Sequence, residues 1–136
     1  MSVRKIDYCY AIVPSRAGRG AEMLRALRDE GVNLLAFTGF PIGGGKAQVD
    51  FVAPRIADVR RVARKHGWKL SGTKRGFLVQ GRDRAGAVHR QLAKLAKAGI
   101  NVTAVDAVAA GGGRFGMILW VKPADTARAA RALGAR

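Results

Sequence analysis

Two hydrophobic periods alternate along the chain. In "IDYCYAIV", Ile6 to Val13, every second residue (Ile6, Tyr8, Tyr10, Ile12) falls on one side, the period of an extended strand. From about Gly18 to Glu30 the period lengthens to that of a helix: Gly20, Leu24 and Leu27 recur on one face, with Glu22–Arg25 and Arg25–Asp29 at helix-neighbour spacings outside it. Gly31 stands where a helix ends in the left-handed conformation. "VNLLAFTG" and "KAQVDFVA" read as a second and third strand, and Gly43-Gly44-Gly45 between them supplies the positive-φ residues of a tight hairpin. Pro54 opens a second helix, about Ile56 to His66, with Val59 and Val62 on its face and Gly67 at its end. "WKLSGTK", Trp68 to Lys74, reads as a fourth strand.

The plan then repeats at an offset of 68, half of the 136 residues. Arg16-Ala17-Gly18 lies over Arg84-Ala85-Gly86, Leu24 and Leu27 over Leu92 and Leu95, Gly31 and Asn33 over Gly99 and Asn101, and Gly43-Gly44-Gly45 over Gly111-Gly112-Gly113. Beyond the hairpin the register slips by one, at Pro54 against Pro123 and at Gly67 against Gly134. The order β-α-β-β-α, taken twice, predicts an α+β protein: two ferredoxin-like repeats side by side, residues 1–74 and 75–136, each an antiparallel sheet with helices on one face.

Two features strain that plan. The second repeat ends without a fourth strand, which leaves "GFLVQG" as a bare sheet edge. Such edges are seldom left unmanaged, and the other half, the basic N-terminal segment or a second chain is expected to cover it. "RFGMILWV" is apolar on both faces, with Ile118 and Trp120 opposite Phe115, Met117 and Leu119. A strand of that kind should be buried on both sides, and an oligomer contact is the favoured means, partial burial within one chain the other.

Composition narrows the function classes. No apolar run approaches the ~20 residues of a membrane span, and the first residues lack the apolar core of a secretory signal, so a cytoplasmic protein is expected. Cys9 is the single cysteine, which excludes an internal disulfide and makes a small buried hydrophobe its expected role. The net charge is +16, and residues after position 68 carry +10 of it. Polyanions and acidic metabolites are drawn to such a field; a solvated basic surface accounts for it equally well.

The strand ending in Gly81-Arg82-Asp83-Arg84-Ala85-Gly86-Ala87, the Leu-bearing helix behind it, and the re-entry at Gly99-Ile100-Asn101 resemble the ACT domain, whose signature here is an Asp-Arg-Pro-Gly turn, a Leu-rich helix and Gly-Ile-Asn. "VPSRAGRGAEMLRALRDEGVNL" is a weaker copy, so the resemblance covers nearly the whole chain as two consecutive ACT-like repeats. It implies a regulatory module without an enzyme activity of its own, which binds a small ligand, most often an amino acid, at an interface between repeats or subunits of a homodimer. Carried over residue by residue, the ligand-binding positions are Arg82, Asp83, Arg84, Ala85, Gly86, Ala87 and Asn101, and, in the first repeat, Ser15, Gly18 and Asn33. Both repeats lack the motif's Pro, with Ala85 and Ala17 in its place, and Ser15 replaces the Asp in the first. If one site alone is competent, it is therefore the one with Asp83.

The residues suit the role. A helix N-terminus offers free N–H groups and a positive dipole end to a carboxylate. Gly86 and Gly18 remove a β-carbon that would hold a ligand away, and Asn101 and Asn33, expected close to the turns, each offer a donor and an acceptor. Asp83 is equally placed to cap the helix, Asn33 and Asn101 to satisfy loop backbone, and Arg82 and Arg84 to be solvated. No cofactor is implied, and any regulated enzyme is a partner that the residues do not name. Catalysis has little support, since His66 and His89 are far apart and read as surface residues. "FPIGGGKA" fails as a phosphate loop, lacking the first Gly and carrying Ala47 in place of Ser or Thr. Nucleic-acid binding is the serious rival, on the same sandwich topology and charge, although Asp50 would sit on the face that stacks bases. Pairing without any ligand is a further alternative.

Overall fold

The computed structural model describes all 136 residues. Strands β1 (Ser2–Pro14), β2 (Ala36–Gly43), β3 (Lys46–Val52), β4 (Lys74–Arg82), β5 (Ala104–Gly111) and β6 (Arg114–Trp120) combine with helices α1 (Arg19–Asp29), α2 (Ile56–His66), α3 (Ala87–Lys97) and α4 (Thr126–Leu133), the last preceded by a 3₁₀ turn at Pro123–Asp125. The bounds of α1 and α3, of β2 and β5, and of β3 and β6 differ by the same 68 residues. No helix is long and apolar enough to cross a membrane.

The chain divides into two compact units, Asp7–Lys74 and Met1–Ile6 with Arg75–Arg136. In the first, the strands run β2-β3-β1, with Cys9 opposite Phe51 and Ala11 opposite Val49. Those four side chains share one buried cluster with Met23 and Leu27 of α1 and Val59 and Val62 of α2, so both helices cover one face of the sheet. In the second, β4, β6 and β5 run antiparallel, with Phe77 opposite Leu119 and Val79 opposite Met117. These pack with Leu95 of α3 and Ala129, Ala130 and Leu133 of α4. Each unit is thus the ferredoxin-like sandwich that the two periods predict. In both hairpins three successive glycines have positive φ, from 60° to 92°, as a turn whose twist matches that of the strands requires.

The first six residues, which sequence order puts in the first repeat, are compact with the second. They lie beside β4 in the strand order, so of the three covers expected for that edge the N-terminal segment is the one used. Its outer edge is tied in turn to the C-terminus: the Arg136 N–H donates to the Val3 carbonyl (3.1 Å), and the Lys5 N–H to the Arg136 carbonyl (3.2 Å).

The fourth strand expected over Trp68 to Lys74 is a correction. Residues 68–73 are not a regular strand, and β4 starts at Lys74. The segment still follows β1, but Ser71 interrupts the ladder: its N–H donates to the Tyr10 carbonyl (2.8 Å), while its hydroxyl, not its backbone, accepts from the Tyr10 N–H (2.9 Å). The favoured explanation for β6 is corrected too. Ile118 and Trp120 are buried within the single chain, so that strand needs no oligomer to cover its second face.

Burial has a measurable signature at β1. The Cys9 thiol is pushed up to about 11 by desolvation, with Arg60 pulling it down and Asp50 pushing it up. Tyr8 is pushed up to about 12 by burial, then by the negative charge of Asp50 and of ionised Tyr10. Raised values mean that the native state holds its protons more tightly than the unfolded chain. The associated stability is present in full below pH ~9 and is lost as pH rises through 11 to 12. Stability is therefore expected to stay level up to pH ~9 and then to fall by at least ~2 kcal/mol by pH 12, with Cys9→Ala removing part of the fall. Denaturant titrations across that range measure it, and a profile that Cys9→Ala leaves unchanged would rule the thiol out as a contributor.

Candidate functional site

The β4–α3 turn and its counterpart after β1 are built alike. The Asp83 N–H donates to the Gly113 carbonyl (2.9 Å) and the Ser15 N–H to the Gly45 carbonyl (2.8 Å), so each turn is pinned to the glycine hairpin of its own sheet. Each helix then begins behind a glycine in the left-handed conformation, Gly86 at φ 84° and Gly18 at φ 87°. A β-carbon at either glycine would meet nothing within 4 Å. The positive φ alone is a reason for glycine at both positions, and the space beside each is free of protein atoms. Gly86 is itself the residue before the helix and no side chain caps it, so Asp83 does not serve as a cap.

Around the second turn lies a cleft of about 300 Å³, lined by Asp83, Arg84, Gly86, Ala87, Val88 and His89 on one side and by Ala107, Val108, Ala109 and Phe115 on the sheet. The first turn has a shallower counterpart of about 220 Å³ that includes Ser15, Arg16, Ala17 and Gly20. Of the expected ligand positions, Asp83, Arg84, Gly86 and Ala87 come together. Arg82 and Ala85 are exposed beside them without lining the cleft, and in the first repeat Ser15 lines the smaller cleft while Gly18 does not. His89, Val108 and Phe115 join the site without having been expected there. The hairpin offset that sets Ala109 opposite Phe115 could have pointed to Phe115.

The expectation that Asn101 and Asn33 lie close to the turns is corrected. Each follows the far end of an 11-residue helix, which separates Asn101 from Gly86 by roughly 16 Å at 1.5 Å per residue. Asn33 lines a different groove, of about 530 Å³, together with Leu24, Leu27, Arg28 and Phe37. No Asn is part of either turn within one unit.

The charges separate the two turns. In the first, Arg16 and Glu22 form a two-pronged ion pair (3.2 and 3.1 Å), which Arg19 joins at 3.2 Å. Hydrogen bonds from Arg16 and then Arg19 hold the Glu22 carboxyl below its ordinary range. The positions equivalent to Arg16, Arg19 and Glu22 are Arg84, Ala87 and Arg90. At these positions the second turn therefore has two arginines and no glutamate, with Arg82 and Asp83 beside them, and no ion pair engages Arg84 or Arg90. No three His, Cys, Asp or Glu side chains gather anywhere to hold a metal.

The fold defines an α+β protein of paired ferredoxin-like units, and solved structures of that architecture resemble it along nearly its whole length. Protein BT0572 from Bacteroides thetaiotaomicron aligns with a TM-score of 0.77 at 14% identity, covering 97% of this chain and 87% of that one. The ligand-free regulatory subunit of aspartate kinase from Thermus thermophilus aligns at 0.68 and 15% identity, covering 98% and 95%. The corresponding subunit from Thermus flavus aligns at 0.59 and 18% identity, with the same coverage. No protein-family model matches the chain, and no curated protein matches it. At such identities the likeness establishes the fold.

Proposed function

We propose that the chain is a non-catalytic, tandem ACT-like regulatory protein that binds a small amino acid or related carboxylate at the turn preceding α3. The observation that carries this reading is the contrast between equivalent turns: Glu22 engages both Arg16 and Arg19 of the first, whereas Arg84, which lines the cleft of the second beside a helix N-terminus, is in no ion pair, and Arg90 stands where the first turn has its glutamate. A carboxylate supplies the missing anion, and the N–H groups of the first helical turn add donors. Asp83, in the same cleft, is placed to accept from a ligand's ammonium group. The resemblance to regulatory subunits of aspartate kinase supports a role in reporting a metabolite to an enzyme. A homodimer fits the two outermost strands, β2 and β5, which expose Phe40, Ile42, Val105 and Val108.

Nucleic-acid binding is disfavoured by Trp120, the aromatic on which a base would stack, because it is only 8% exposed. The test is a thermal-shift screen of the twenty amino acids at moderate salt. One compound or a related pair is expected to raise the melting temperature, as any ligand specific to the native state must. Arg84→Ala is expected to weaken that compound at least tenfold, and Arg16→Ala less than twofold. Asn101→Ala changes affinity only if a second copy brings its asparagine to the cleft. A flat panel, with polyanions binding steeply less well as salt rises, would reverse the assignment in favour of nucleic acid.

A further inference from the structure

Compared position by position, the two cores differ in kind at one place. In the unit Asp7–Lys74, Val13 stands opposite Ala47, and Val13 and Met23 of α1 belong to the same buried cluster. The equivalent residues of the other unit are Gly81, Phe115 and Gln91, with Gly81 opposite Phe115. Bulk has moved across the strands to Phe115, and an apolar side chain has become an amide. Gln91 is 0% exposed, and its Oε1 has no hydrogen-bond partner. A buried carbonyl left without a donor is a cost that folding avoids unless something else is served.

Gly81 is not in the left-handed conformation, so its backbone does not require glycine; space does. A β-carbon there would come within 3.2 Å of Met1 Cε and of Phe115 Cε1, and 3.3 Å of Met1 Cγ. Met1 lies across the slot so formed, its sulfur accepting from the Gln91 side-chain N–H. It is 59% exposed, whereas Gln91 beneath it is fully buried. Met1 is thus a cover with one side in water, laid over a slot with an aromatic wall and an amide floor.

We propose that the slot formed by Gly81, Phe115 and Gln91 is the side-chain subsite of the ligand, shaped for the unbranched, thioether-sized side chain of a small amino acid, and that Met1 covers it until the ligand displaces it. This rests on the reading of the α3 turn as the ligand site, to which the slot is joined: Phe115 lines both, and Gln91 is one helical turn beyond Ala87. The amide offers an N–H to a soft acceptor such as sulfur, and its unused carbonyl accepts an N–H from an ammonium group. An amino acid with a thioether side chain supplies both, one with a linear hydrocarbon side chain supplies the shape and the ammonium alone, and in either case the carboxylate is left for the helix N-terminus. A β-branched side chain would have to place more bulk beside Phe115, whose Cε1 would lie only 3.2 Å from a β-carbon at Gly81.

The experiment is methyl NMR of the full chain labelled with ¹³C at its three methionine methyls, titrated with L-methionine and, in parallel, with L-norleucine, L-valine and glycine. The Met1 methyl, beside the Phe115 ring, starts at a ring-shifted position. L-methionine and L-norleucine are expected to move it to the solvent position, and valine and glycine to leave it in place. Gln91→Met, which gives this slot the residue of the other unit, is expected to keep the fold and cut L-methionine affinity at least tenfold. Gly81→Ala, which narrows the slot from the strand side, should do the same. If L-methionine binds with the Met1 methyl unmoved, or Gln91→Met binds it within twofold of the parent, the slot is not the subsite. A panel that responds only to another amino acid, with the Met1 methyl stationary, also sinks the slot but spares the α3 turn as a ligand site. A panel flat for all twenty overturns both.

Discussion

Deleting Met1–Ile6 is expected to destabilise the unit that contains Arg75–Arg136 by about 5 kcal/mol, while β1 stays paired with β3 from Tyr8 to Pro14. The deleted segment lies beside β4, where the fourth strand of a ferredoxin-like unit pairs. Ile6 is buried and Val3 packs against the core, and burying one such side chain is worth about 1.5–3 kcal/mol. The ladder beside β4 and the bonds from Val3 and Lys5 to Arg136 add about 1 kcal/mol each, and their loss also releases the C-terminus that follows α4. Against a typical total of about 5–15 kcal/mol, a loss of that size leaves the unit marginal or unfolded. Hydrogen exchange resolved by peptide should show protection lost over β4 and α4 and kept over β3. Protection that fell first in residues 46–52, or fell nowhere, would mean that the six residues do not serve the unit in which they lie.

That swap shows where sequence reasoning stopped. The helices, the hairpins and the 68-residue offset were legible because each is signalled locally, by a period and by glycines at the positions that need positive φ. Ser2–Lys5 carries no alternation, so its strand character comes from its neighbours and not from its residues. Along β1 both alternating sets are apolar, and only the structure shows that Cys9, Ala11 and Val13, not Tyr8 and Ile12, face the helices. The Ser71 hydroxyl in place of a backbone acceptor was equally invisible, since Trp68 to Lys74 has the composition of a strand. In the site, the turn residues could be read but their company could not. The exchange of Glu22 for Arg90 is plain in the sequence, yet its meaning depends on a turn that folds Arg16 back six residues onto the helix. The misplacement of Asn33 and Asn101 was avoidable, because an 11-residue helix fixes the distance between its two ends.

Phe51→Ala is expected to cost about 3–5 kcal/mol, the range for a large aromatic removed from a closed core. Phe51 is fully buried in β3, and two aromatic rings depend on it. Trp68 stacks on it at 5.9 Å with 9° between planes, and Phe37 meets it at 5.5 Å and 56°. Such pairs contribute about 0.5–1.5 kcal/mol beyond the area they bury, so the value should fall toward the upper end. The equivalent residue of the other unit is Leu119, an aliphatic side chain that cannot stack with a ring as Phe51 does, and Leu119→Ala is expected to cost less. The difference has a structural consequence. Residues 68–73 have no regular strand to hold them beside β1; they rely on the Trp68 stack, the partly buried Leu70 packed on the core, the Ser71 bonds and Arg60, which donates to the Ser71 carbonyl (3.0 Å) and the Thr73 hydroxyl (2.8 Å). Without Phe51 the stack is gone and Trp68 should move into water. In a Trp120→Phe background, where Trp68 is the one remaining tryptophan, the emission of the folded variant should shift to the red, and quenching by iodide should rise several-fold. An unshifted spectrum together with a loss below about 1 kcal/mol would show that the indole is held by the chain around it and that the first core closes without its central ring.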